Sequence, residues 1–126
     1  MSNFIKKIRQ IEGIPVFTLD LHKFNQGAAC TIPGIGIFIG TKQAGNIGLL
    51  RHEFGHILQR RQKGILFFWF KIVPVSVLSA FRASITIKHT HMHTWTEWTA
   101  NSLSYDYFNQ PATWDFNKYP IHPAGF

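Results

Sequence analysis

"RHEFGHILQRRQKG", residues 51–64, decides how the rest of the chain is read. Histidines at i and i+4 of a helix lie about 40° apart around the axis and one turn apart along it, so His52 and His56 can both reach one ion at ~2.0 Å. The residue after the first histidine points to the side of that pair. Glu53 therefore stands where a carboxylate can take a proton from a metal-bound water without itself binding the metal. On a helical wheel of residues 46–63, at ~100° per residue, Ile47, Leu50, Phe54, Ile57 and Leu58 share one stripe and the two histidines fall nearly opposite it. The spacing predicts a helix with a core face and a separate metal face. Histidines on the apolar stripe would instead have read as hydrogen-bonded core residues.

A third ligand has to come from elsewhere. The extension H-E-x-x-H-x-x-G-x-x-H needs glycine and histidine where this chain has Gln59 and Gln62, so that ligand scheme is excluded. A carboxylate from a later helix is the other common solution, and Glu97 is the only glutamate downstream of the motif. It opens "EWTAN", which places Asn101 four residues on, on the same helical face. There its amide oxygen can accept the second ring N–H of a ligating histidine, more weakly than an aspartate would. "TWTE" is also a capping box, with Thr94 as N-cap and Glu97 folding back to the Thr94 backbone N–H. The two roles compete for one carboxylate. "HTHMH" offers a rival: His89, His91 and His93 alternate, so an extended segment would point all three one way, toward a metal or a transition-state oxyanion. A polar surface strand is the plain alternative.

The bulk composition bounds these readings. The chain has 126 residues, room for one domain over 1–126, which at this size buries roughly two thirds of the surface its unfolded form exposes. Hydrophobic residues make up 45% and charged ones 15%, a globular composition. The net charge of +7 reflects only six acids against thirteen bases. Those bases fall in short groups, "KKIR" and "RRQK", without the long basic runs of a nucleic-acid groove, so a nucleic-acid partner is not expected. A single cysteine, Cys30, rules out an intramolecular disulfide and a cysteine zinc cage. The N-terminus lacks the apolar core and cleavage site of a signal peptide, so classical secretion of the chain as written is not expected.

Around the motif the pattern predicts an α+β domain. "FIKKIRQI" at 4–11 has Phe4, Ile5, Ile8 and Ile11 at helical spacing, which predicts a short docking helix or a membrane-surface anchor. "GIPVFTLDLHKF" and "GIGIFIG", separated by the turn-like "NQGAACTIPG", read as strands of a small antiparallel sheet. The second run would be the edge along which an extended substrate adds. "ILFFWFKIVPVSVLSAF" at 65–81 sits at or below the usual spanning length of ~20 residues and carries Lys71 and Pro74, so two short buried helical pieces hinged at Pro74 are expected rather than a membrane span. A helix from about Thr94 and a proline-punctuated aromatic C-terminal wrap complete the chain.

"HEFGH" at 52–56 and "ExxAN" at 97–101 resemble the zincin metallopeptidases of gluzincin type, in which a glutamate on a following helix completes HExxH. More narrowly, "LLRHEFGHILQ", the apolar stretch with "VP" and "S", "WTEWTANSLSYDYF" and "W...YP" are similar to small predicted metallopeptidase domains of bacteria, including ones at the C-terminal ends of Rhs-type polymorphic toxins. The likeness runs from about Gly34 to Pro123. It implies a minimal zincin-like fold, one Zn2+ held by His52, His56 and Glu97, Glu53 as general base, a protein or peptide substrate, and peptide-bond hydrolysis. Two departures stand out. Asn101 replaces an aspartate common in the wider group, and the chain is too short for the second lobe that supplies the oxyanion donor in larger members. That role would fall to Tyr105, Tyr107 or His93. A non-catalytic zinc-stabilised domain and a metalloprotein docked on a membrane surface are the competing expectations.

Overall fold

Residues 5–11 form a strand, not the short helix that their isoleucine spacing suggests. The computed structural model describes residues 5–85 and 91–123, with the side chains of all of these except 83–85 and 93. In it β1 (Ile5–Ile11) pairs antiparallel with β2 (Ile14–Leu19). Glu12 and Gly13 between them have φ of 49° and 81°, the paired positive values of a two-residue turn whose twist suits a hairpin. The register slips between Lys7 and Arg9, leaving Ile8 in a bulge. That extra residue is what gives Ile5, Ile8 and Ile11 a helix-like spacing inside a strand.

The four strands lie in the order β1-β2-β4-β3, with β3 at Cys30–Ile32 and β4 at Gly36–Gly40. β2 and β4 run parallel while the other two pairs are antiparallel, so the sheet is mixed and the expected antiparallel sheet is corrected within the α+β class. The cause lies in the connection. After Leu19 the chain turns through α1 (His22–Asn25), although the β-rich pattern runs on through "LHKF", and the turn-like segment supplies β3 before folding back into β4. The Ile35 N–H donates to Ile32 O at 3.0 Å, closing that turn around Pro33. β4 is consequently paired on both sides, and the outer edge beside it belongs to β3. This overturns the expectation that "GIGIFIG" is a substrate edge.

The chain divides into two compact units, Met1–Phe54 and Gly55–Phe126, the division falling inside α2 (Ile47–Lys63). In the first, alternation along the strands buries Val16, Thr18, Ile37 and Ile39 on one face of the sheet, while Phe17 stacks on Phe38 on the other with centroids 5.0 Å apart. Leu49, Leu50 and Phe54 of α2 add to the buried apolar set. β1, at the open edge, exposes Lys6, Lys7 and Arg9, charges that discourage pairing with another strand.

In the second unit α2 is followed by α3 (Ile65–Phe67), a π-helical turn (Phe68–Ile72) and α4 (Val73–Ile85), which run on without a break. Two buried pieces hinged at Pro74 were expected; one continuous and mostly exposed helical stretch is found. Proline cannot donate to the preceding turn and its ring crowds the carbonyl there, and the wide π turn just before Pro74 lets the helix continue past it. Only 17% of Ile65–Arg82 is buried. α5 (Trp95–Tyr107) and the C-terminal wrap follow, and the Trp114 indole N–H donates to Tyr119 O at 2.9 Å to close the wrap on itself.

Candidate metal centre

Asn46 sets the start of α2: its Oδ1 accepts the Leu49 backbone N–H at 3.1 Å, which satisfies one of the helix's free donors. From that start the helical period turns His52, Glu53, His56 and Gln59 to one side, and all four are buried. The polar face predicted from the wheel is thus real, but it is a second buried face and not a solvent face.

Glu97 does not take the capping role that "TWTE" offers: the Thr94 backbone N–H donates to His91 O at 3.0 Å. Thr94 is the N-cap of α5 but makes no side-chain cap bond, its hydroxyl lying against Ser79 Oγ instead. The Glu97 side chain is only 2% exposed and turned inward. Its Oε1 lies 3.1 Å from His56 Nε2 and 3.3 Å from His91 Nε2. Oε2 is held by the Ser76 hydroxyl and by Thr96 Oγ1 at 3.0 Å. One oxygen is therefore fixed by hydroxyls and the other faces imidazole nitrogens.

The ligand atoms of His52, His56 and Glu97 all lie within 4.8 Å of one another, and the three residues are buried. A tetrahedral ion with bonds of ~2.0–2.2 Å holds its ligands roughly 3.3 Å apart, so the His56–Glu97 pair is already close to that spacing. Two neutral nitrogens and one carboxylate are a suitable donor set for a divalent ion, and these residues can hold a metal.

Gln59 fixes the chemistry of His56. Its amide nitrogen donates to Thr96 O at 2.6 Å and to Thr99 Oγ1 at 2.8 Å, which identifies Oε1 as the atom 2.7 Å from His56 Nδ1. An amide oxygen only accepts, so Nδ1 carries a proton, and Nε2 is the atom that His56 turns toward Glu97 Oε1 and toward any ion held beside it. Close packing of α5 depends on Gly55: a Cβ there would sit 2.1 Å from Ala100 O. Glycine in mid-helix costs about 1 kcal/mol of helix propensity, and this contact explains its presence within "HEFGH".

Glu53 is held by β3. The Thr31 hydroxyl donates to Glu53 Oε1 at 2.8 Å, and Oε2 lies 3.7 Å from His52 Nε2. Partial burial, and then the negative charge of Glu53, pushes the Cys30 thiol up from its ordinary value.

Of the other predicted residues, Asn101 is fully buried and its Nδ2 donates to Pro120 O at 2.9 Å, tying α5 to the C-terminal wrap. Tyr105 and Tyr107 lie about 12 Å and 15 Å along the helix axis from Glu97. Tyr105 packs edge-on against Trp114 and Phe116, and Tyr107 against Phe108, so neither is brought to the cluster. In "HTHMH", His89 and the His93 side chain lie outside the described residues. His91–His93 form a 3-10 turn and not an extended strand, and His91 is brought to Glu97, with its Nδ1 3.0 Å from Ser79 Oγ. Sequence reasoning missed Thr31, Gln59 and Ser76. Gln59, three residues after His56 on the same face, could have been found from the wheel, and Ser76 from its place as a lone hydroxyl in "VPVSV". Scanned against protein-family models, the curated proteins and the solved structures, the chain matches none.

Proposed function

We propose that the chain is a gluzincin-like zinc peptidase, with His52, His56 and Glu97 as ligands and Glu53 as general base. The observation that carries this reading is the different treatment of the two buried glutamates. Glu97 has one oxygen fixed by Ser76 and Thr96 and the other turned to His56, as a ligand needs. Glu53, beside His52 in sequence, is drawn to Thr31 by Oε1, which leaves Oε2 to handle a proton. Three protein ligands are also the count of catalytic zinc sites, which keep one position open, whereas structural sites close with four.

Zinc, when bound, supplies Lewis-acid polarisation of a carbonyl and acidification of water. The chain's own groups do the rest. Glu53 takes a proton and returns it to the leaving amine, with Thr31 holding its carboxylate in one orientation. Gln59 keeps His56 in the Nδ1–H form. His91, whose Nε2 lies 3.3 Å from Glu97 Oε1, is a donor for a developing oxyanion. The outer edge of β3, one strand removed from the expected place, accepts an extended peptide by backbone hydrogen bonds, and the same strand carries Thr31.

The test is Glu53→Gln, which keeps the size of the side chain and removes its basicity. Zinc content by mass spectrometry should stay at one equivalent, while hydrolysis of a broad peptide library falls by about 10²–10⁴-fold. A zinc-loaded wild-type protein that cleaves nothing in that library overturns the peptidase reading in favour of a non-catalytic zinc domain.

A further inference from the structure

We propose that the outward face of the helical stretch 65–82 docks in the plane of an anionic lipid bilayer. Leu66, Phe70, Val77, Leu78 and Phe81 are each at least 60% exposed. Their spacing, with the exposed Pro74 between them, puts them on one side of the helix. Such a contiguous apolar face on a surface helix marks an interaction site. The opposite side is already committed: Phe68, Ile72 and Ser79 are buried, Ser76 bonds Thr96 and Glu97, and Ser79 lies against Thr94. A helix crossing a membrane alone would present apolar side chains all round. This one, tied to α5 along one face, can offer lipid only the other, which is the geometry of an in-plane helix.

Charge selects the occupant. No aspartate or glutamate occurs from residue 54 to residue 96, while Arg61, Lys63, Lys71 and Arg82 are exposed at or beside the helix. Trp69, 41% exposed, adds an aromatic ring of the kind that settles at headgroup level. A bilayer of anionic lipid answers both features, taking the apolar side chains below its headgroups and the cations among them. A second copy of the chain answers only the first, because a two-fold contact sets Lys71 and Arg82 of this stretch against the same cations of the other copy. The inference does not depend on metal binding or peptidase activity.

The experiment is flotation of the full chain with vesicles of phosphatidylcholine containing phosphatidylglycerol, against phosphatidylcholine alone, at two salt concentrations. The protein should float with the anionic vesicles, less at high salt. The double variant Phe70→Asp/Phe81→Asp should lower partitioning on the order of a hundredfold. Both side chains point outward, so circular dichroism and metal content serve as folding controls, and Val77→Ser/Leu78→Ser repeats the test with uncharged changes. Wild-type protein that stays at the bottom of the anionic gradient overturns the proposal, as do variants that float as well as wild type. Concentration-dependent dimerisation by sedimentation velocity without vesicle uptake assigns the face to a second copy and likewise overturns it.

Discussion

Glu53 and Glu97 are two of only six acidic residues, and their neighbours give them different chemistry. Hydroxyls hold one oxygen of Glu97 and imidazole nitrogens face the other, whereas a single threonine orients Glu53. The charge of Glu53 can be read through Cys30, whose thiol is raised from 9.0 by desolvation first and by Glu53 second. A thiol that resists ionisation reacts slowly, so iodoacetamide should alkylate Cys30 more slowly at pH 9 than it does a cysteine in a denatured control. Glu53→Gln should speed that reaction at the same pH, and an unchanged rate would contradict the electrostatic contact. The linkage has a definite sign: the unfolded thiol loses its proton first, so this contribution to stability is whole below pH 9.0 and shrinks as pH rises through the folded value. His52, Glu53 and His56 were legible in the sequence because i, i+4 geometry is local. Thr31 was not, because its partner lies 22 residues away; the wheel could place Gln59 beside His56 and "VPVSV" could mark Ser76, but their partners 37 and 21 residues away are contacts no local pattern encodes.

At the scale of elements, the period was readable wherever the element was regular. α2 and α5 run where their spacing and flanking residues place them. β1 carries a helix-like pattern because its bulge imitates a helical period, and Pro74 does not break the helix as its residue type suggests because a π turn absorbs it. β3 was missed inside a turn-like run since a three-residue strand carries too little alternation to register. The element whose position matters most is α5, and Gly55 permits its approach. Gly55→Ala gains helix propensity, yet it sets a methyl group against the Ala100 backbone, where no side-chain rotation gives relief. Urea unfolding should show a loss of about 3 kcal/mol, with weaker metal retention, despite the favourable propensity change. Gly45→Ala, where a Cβ meets nothing within 4 Å, is the matched control and should shift stability by about 0.5 kcal/mol or less. Equal effects at the two positions would mean that α5 does not pack on Gly55.

For the whole molecule, composition announced a globular protein and the pattern of strand and helix runs an α+β class, which the mixed four-stranded sheet and the helices bear out. Composition could not announce that so much apolar surface stays outside on 65–82, because hydropathy does not report which side of a helix is covered. It also could not show that a buried carboxylate lies against two imidazoles. A carboxylate removed from water is costly unless opposite charge or hydrogen bonds compensate it, and a divalent ion provides that charge. An ion that binds only the folded chain stabilises it by mass action, about 4 kcal/mol when free metal exceeds its dissociation constant a thousandfold. Stripping the protein with a chelator should therefore lower its Tm by roughly 10 °C or more at this chain length. One equivalent of zinc should restore it. Glu97→Ala should bind less than one equivalent and lose most of that zinc-dependent rise, since His52 and His56 alone make a poor site. Full zinc and a full rise in Glu97→Ala would move the third ligand to His91, whose Nε2 already lies 3.3 Å from Glu97 Oε1.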